Sequence, residues 1–208
     1  MKCPFLRFVV ISAFLVSCTD TSHKILHEGA IHYKIAYQGN LGDSLHHFLP
    51  TGMRLYFKSN TLRCQLEGGT AILKPIFIIN GTQNTFTRIY PNEKLTETRP
   101  LLVKDTSLKR INDSSDILGY QCHQYKATNK NASYGIWAAQ NMPFHMKGCS
   151  RAEGFYLAHY EGLPMRVIDK EQDYTITFEA DEVLGKQQPD SLFKTRGDYD
   201  NKILRIKK

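Results

Sequence analysis

Short stretches in which apolar and polar residues alternate constrain this chain more than any other feature. Ile31, Tyr33, Ile35 and Tyr37 fall on one side of an extended backbone, and His32, Lys34 and Ala36 fall on the other. Across 53–58, Met53, Leu55 and Phe57 oppose Arg54, Tyr56 and Lys58. Ser59-Asn60 is a tight connection to Thr61–Glu67, where Leu62, Cys64 and Leu66 oppose Arg63, Gln65 and Glu67. A period of two repeated on both sides of a short polar turn predicts a β-hairpin with one buried face.

The same reading extends along the chain. Strands are predicted at Thr85–Tyr90, Tyr120–Thr128, 134–139, 155–159, 165–170 and 174–182, and Asn80-Gly81 and Gly68-Gly69 mark turns. The apolar run 72–79 contains Pro75, which lacks an amide proton, so an edge or bulged strand is expected there. Helical periodicity is scarce, with short helices or turns at 141–151 and 189–194. With some ten strands and little helix, the sheet must curl or stack to hide its apolar side. The expected fold is mainly β: a curved antiparallel sheet or half-open β-barrel with one or two short helices, the alternative being a β-sandwich.

The N-terminus carries a different pattern. Lys2 and Arg7 precede a nearly all-apolar run from Phe8 to Val16, too short to span a bilayer and suited to an export signal. The chain then turns polar at Thr19-Asp20-Thr21-Ser22. The junction Leu15-Val16-Ser17-Cys18 resembles the lipobox of bacterial lipoproteins: an aliphatic residue, a small residue beside the cleavage point, and a thiol to be alkylated by diacylglycerol. Leu15, Val16 and Ser17 are thus the expected peptidase recognition residues and Cys18 the lipidation site. Each buried methylene of the acyl chains contributes ~0.8 kcal/mol, so several chains anchor durably. This divides the chain into a signal peptide over 1–17, a polar tether over 18–27 and one β-rich domain over 28–208. Thr19 after the cysteine differs from the aspartate of inner-membrane retention signals, which points to the outer membrane. The 208 residues, 41% apolar and 23% charged, are ordinary for one globular domain. The formal charge of +7 falls to +5 once Lys2 and Arg7 are removed. No dense basic run or nucleic-acid-binding module is present, so nucleic acid is not an expected partner.

Several segments carry a family resemblance: Gly29-Ala-Ile-His-Tyr-Lys-Ile, Met53-Arg-Leu-Tyr-Phe-Lys-Ser-Asn, Ile117-Leu-Gly-Tyr-Gln-Cys-His-Gln-Tyr, Ile136-Trp-Ala, Gly162-Leu-Pro-Met-Arg and Pro189-Asp-Ser-Leu-Phe. In this order they resemble a family of uncharacterised bacterial envelope lipoproteins, itself related to the lipoprotein carriers typified by LolA and LolB. The resemblance implies a half-open barrel with a concave apolar face that shelters acyl chains. It implies no catalytic residues, and the carriers' plugging helices have no obvious counterpart here.

The remaining chemistry is sparse. Beyond Cys3 in the leader and Cys18, three cysteines are left, and an envelope compartment permits disulfides. Cys64 alternates with Leu62 and Leu66 as a core residue would. A Cys122–Cys149 bridge would be worth about 3.5 kcal/mol in the chain-entropy model, although three reduced thiols fit equally well. Cys122 and His123 are strand neighbours whose side chains point apart, a poor thiolate–imidazole pair. His23 and His27, and the adjacent His46 and His47, lack further ligands for a metal set. No hydrolase elbow, zinc-protease motif, phosphate loop or dinucleotide fingerprint occurs, so neither an enzyme nor a cofactor is expected. The apolar stripes Ile31/Tyr33/Ile35, Met53/Leu55/Phe57 and Leu62/Leu66 are either plain core or the lining of a cavity for an acyl chain. The functional expectation is a membrane-anchored, non-enzymatic protein binding a lipid or other hydrophobic ligand. The alternative is an interaction module that docks an envelope protein partner.

Overall fold

A computed structural model describes residues 25–40, 47–69, 74–101, 107–128, 132–147, 150–152, 155–157, 161–194 and 200–203. Its elements in chain order are β1 (Glu28–Gly39), β2 (Gly52–Lys58), β3 (Thr61–Glu67), β4 (Ile76–Asn80), β5 (Thr85–Tyr90), β6 (Leu95–Pro100), β7 (Ser107–Ile117), β8 (Tyr120–Thr128), β9 (Ser133–Ala139), β10 (Ser150–Ala152), β11 (Phe155–Leu157), β12 (Leu163–Lys170), β13 (Tyr174–Leu184) and β14 (Asp200–Ile203). Helix among the described residues is limited to single 3-10 turns at Pro91–Glu93 and Asp190–Phe193. Twelve strands form one unclosed, curved sheet in the order β14-β6-β5-β4-β3-β2-β1-β13-β12-β9-β8-β7, and β10 and β11 form a separate small hairpin. Every pairing in the large sheet is antiparallel except β14 with β6. The expected mainly-β, curved and unclosed sheet is therefore the fold; there is no second stacked sheet of comparable size among the described residues.

The alternating pattern sets the register. Inward residues of successive strands line up as Ile31–Leu55–Cys64–Phe77 from β1 to β4. In the other direction they run Ile35–Phe178–Val167–Ile136–Tyr125 from β1 through β13, β12 and β9 to β8. A one-residue slip at any ladder would turn an entire row outward, so these rows lock the strand order. All of their members lie in one continuous buried core.

The hairpin expected around Ser59-Asn60 forms with Phe57 opposite Leu62 and Lys58 opposite Thr61. Ser59 takes a left-handed φ of 52°, and Gly68 and Gly69 take 73° and 66° at the predicted turn. The expectation for 72–79 needs correction. β4 begins at Ile76, one residue beyond Pro75, and pairs with β3 on one side and β5 on the other, so it is interior to the sheet. Proline is tolerated because it stands just before the strand, where no ladder bond is required of it. The 3-10 turn Asp190–Phe193 falls within the predicted 189–194, whereas residues 141–147 are irregular and β10 occupies part of the other predicted helix.

After β13 the chain crosses the outer face of the sheet, the side opposite the core. Gln188 donates its amide to Glu28 at 3.2 Å, and its carbonyl accepts from Lys58 at 2.8 Å. Lys58 also pairs with Asp190 at 2.7 Å, and Arg63 donates to the Leu192 carbonyl at 2.8 Å. This strap passes over β1, β2 and β3 before β14 joins β6.

Candidate functional site

The eight stripe residues singled out from sequence converge. Ile31, Tyr33, Ile35, Met53, Leu55, Phe57, Leu62 and Leu66 all face inward, and none is more than 8% exposed. The insertion between β9 and β12 packs into the same core and touches Tyr33 directly. Its Met142, Phe144, Met146, Phe155 and Leu157 join the same core. The Phe155 ring sits edge-on between Tyr33 and Phe178, with centroids 5.3 Å from each. The Tyr33 hydroxyl donates to the Pro164 carbonyl at 2.6 Å, satisfying its one polar atom inside an apolar layer. The inner face is thus an apolar surface closed by the chain's own cover, rather than an open trough.

The cover is held at its far side by a few polar contacts. Asn60, in the β2–β3 turn, donates Nδ2 to the His145 carbonyl at 2.6 Å and accepts the His145 amide at 2.8 Å. Lys147 donates its amide to Asn84 at 3.2 Å, and Leu26 donates its amide to Asn141 at 2.8 Å. Residues 141–147 thereby run along the ends of the strands from β9 to the start of β5. They contain no regular secondary structure, so their order depends on these bonds and on three buried apolar side chains.

The other predicted residues are dispersed. Cys64 and Cys122 are buried free thiols, each pushed up to about 12, Cys64 by burial and Cys122 by burial together with the Asp116 charge. Cys149, its expected partner, lies outside the described residues, as do Leu15, Val16, Ser17, Cys18, His23 and His46. His27 and His47 are exposed, and no group of three metal-ligating side chains gathers among the described residues. No helix among them is long and apolar enough to cross a membrane.

One constellation escaped the sequence reading. His32, on the outer face of β1, places Nδ1 2.5 Å from Asp181 and Nε2 3.2 Å from Glu67. Lys34 adds a contact to Asp181 at 3.4 Å and Arg54 one to Glu67 at 3.3 Å. With a carboxylate at each ring nitrogen, the imidazole ties β1 to β13 and to β3. The arrangement is a clasp across three strands. Only the outward position of His32 was legible in the alternation; its partners come from β13 and β3, distant in sequence.

Among the described residues, the outer face carries a larger and a smaller cavity of note. The larger, about 460 Å³, lies between the strap residues Phe193 and Lys194 and the outward side chains of Thr61, Ile78, Thr87 and Thr98. The smaller, about 180 Å³, is formed around Gly135 and Trp137 on β9.

These features define a class: an open antiparallel sheet whose apolar side is covered by an insertion and whose other side is strapped by the segment after β13. The chain belongs to the family described as "Domain of unknown function (DUF4412)", whose model matches residues 50–199. None of the curated proteins matches the sequence. Among solved structures the fold is similar to PNGF-II, with a TM-score of 0.59 at 14% identity over 85% of this chain. The chain spans only 31% of PNGF-II. An uncharacterised conserved protein from Thermus thermophilus is similar at a TM-score of 0.50 and 9% identity, over 89% of this chain and 96% of that one. The Mycobacterium tuberculosis lipoprotein LppX matches at a TM-score of 0.35 and 12% identity over 79% of this chain and 89% of that one, too distant to argue from. At such identities the likenesses speak for the fold alone. The expected membership in a family of uncharacterised proteins holds.

Proposed function

We propose that this protein is a non-enzymatic envelope lipoprotein, tethered to the outer membrane through acyl chains on Cys18, that takes a lipid or other hydrophobic molecule onto its inner sheet face. In this reading it is a relative of the LolA and LolB carriers in which an insertion with one short hairpin stands where the plugging helices would be. The observation that carries it is the make-up of the cover. The apolar inner face is covered by an insertion with little regular structure, whose irregular part brings Met142, Phe144 and Met146 and whose short hairpin brings Phe155 and Leu157. Methionine side chains repack around differently shaped apolar partners, and a cover held by a few hydrogen bonds opens at lower cost than a packed second sheet. An acyl chain entering beneath Phe155 would meet Tyr33 and Phe178 in its place.

The test is native mass spectrometry of gently extracted protein, combined with uptake of a fluorescent fatty acid by the delipidated form. A co-purifying apolar mass or saturable uptake supports the reading. A clean apo mass together with no uptake overturns it. The tether is tested separately: labelled palmitate enters the wild-type chain and is absent from Cys18→Ala.

A further inference from the structure

We propose that the outer face of β8, β9 and β12 around Trp137 is a second binding site, for a saccharide carrying negative charge. This does not depend on what the inner face binds.

Gly135 makes the site possible. It stands two residues before Trp137 on the same strand, and a side chain there would begin 3.2 and 3.3 Å from two carbons of the indole six-membered ring. Without one, the indole lies back over the strand and leaves a recess of about 180 Å³ bordered by Gln124, Lys126, Ile168 and Lys170. Across the ladder, Trp137 is the partner of Gln124 on one side and Arg166 on the other. The Arg166 guanidinium sits 5.4 Å from the indole and is itself paired with Glu179, which fixes both groups.

The charged residues lining the recess itself, Lys126 and Lys170, are both basic. Lys109 and Lys126 are direct cross-strand partners on this face, and Lys170 projects from the same face of β12. Like charges placed directly opposite each other oppose strand pairing. Among the described residues none of the three lysines forms an ion pair, and all three are exposed. An anion bound between them would relieve that repulsion.

The form of the recess selects the ligand. A fixed flat ring beside an amide side chain suits a pyranose, whose C–H face packs on an aromatic surface while its hydroxyls bond at the edge. A carboxylate or phosphate on that sugar would reach the lysines. Single-stranded nucleic acid is stacked on successive aromatic platforms, and here one indole is available, since the neighbouring Tyr125 and Tyr134 rings belong to the core. Interfacial tryptophans that anchor to membranes sit with their rings at headgroup level, whereas this one is laid back along its own strand.

Trp137 is the only tryptophan in the chain, so its intrinsic fluorescence reports the site directly. Tetragalacturonate titrated into the purified full-length protein is expected to give a saturable change in emission, and cellotetraose a binding at least about tenfold weaker. The K126Q/K170Q variant, which alters two exposed side chains, should weaken tetragalacturonate binding about tenfold, as should added salt. Gly135→Ala should shift the emission of the free protein and reduce binding. No response to tetragalacturonate, an equal response to cellotetraose, or a response confined to phosphatidylglycerol vesicles or to oligothymidylate overturns the proposal.

Discussion

Asn60 and His145 bond each other in both directions: the Asn60 amide donates to the His145 carbonyl and its oxygen accepts from the His145 amide. One turn side chain thereby completes, for a segment 85 residues away, the backbone pairing that a neighbouring strand would supply. Asn60→Ala removes both bonds at an exposed place, where water can replace them, so the cost to global stability should be small, about 1 kcal/mol. Local opening should rise much more. Hydrogen exchange in 142–147 is expected to accelerate several-fold while exchange in β1 and β2 stays unchanged, and fatty-acid uptake should quicken in step.

Phe155 should behave differently, because it fills the space between two rings rather than holding an edge. Phe155→Ala leaves a void against Tyr33 and Phe178 and is expected to cost about 3–5 kcal/mol, read as a lowered urea midpoint with an unchanged slope. If the inner face takes a hydrophobic ligand, adding it should recover part of that loss. The wild-type protein, whose cover already occupies the site, should gain less.

The clasp at His32 predicts an acid limb in the stability profile. Burial alone would raise the Asp181 carboxyl, but the hydrogen bond and charge of His32, with Lys34 behind them, outweigh it and hold the group below the usual carboxylate range. A carboxyl whose folded value is depressed stabilises the fold above its unfolded value, and loses that contribution as pH falls through the folded one. Melting temperature should therefore fall as pH drops below the ordinary carboxylate range, and Asp181→Asn should be less stable than wild type near neutrality while losing less on acidification. Equal acid slopes for the two proteins would remove Asp181 from the account.

Native alkylation checks the two buried thiols. With Cys64 and Cys122 pushed up to about 12, the thiolate fraction at mildly alkaline pH is roughly a thousandfold below that of a free cysteine, and burial blocks the reagent as well. Peptide mapping after brief iodoacetamide treatment should find both unmodified in the folded protein and fully modified in urea. Reaction at Cys122 without denaturant would contradict its placement in the core.

Legibility from sequence followed burial. β2 and β3 are predictable to within one residue because each has one clean apolar side. The alternation marks the middle of β1, which runs three residues earlier and two later than 31–37, and β13 is marked because Tyr174, Ile176 and Phe178 alternate with polar residues. β6 and β7 escape the sequence reading for the converse reason. β6 reads Leu-Thr-Glu-Thr-Arg-Pro; opposite Phe86 and Arg88 it presents Arg99 and Glu97, and Arg99 lies over the Phe86 ring at 4.9 Å where an aliphatic residue would be expected. β7 is an edge strand, mostly polar on both sides and with a register shift between Arg110 and Ser114, so no periodicity marks it. The apolar lining of the inner face is visible in the alternation, but the alternation does not say what lies against it. That depends on where Phe144 and Phe155 land, a matter of long-range packing. The His32 clasp and the recess at Trp137 depend on glycines as much as on the groups themselves: Gly52, beneath the His32 ring, leaves Nε2 clear to reach Glu67 on the far side of β2.

The strap after β13 starts beside the middle of the sheet and delivers β14 to its margin, next to β6. Those few residues guard a border that would otherwise expose a row of unsatisfied backbone groups. A protein shortened after Leu184 would keep its central ladders and lose that guard, leaving β6 free to recruit a strand from a second molecule. Self-association would then grow with concentration while the fold of each copy persisted.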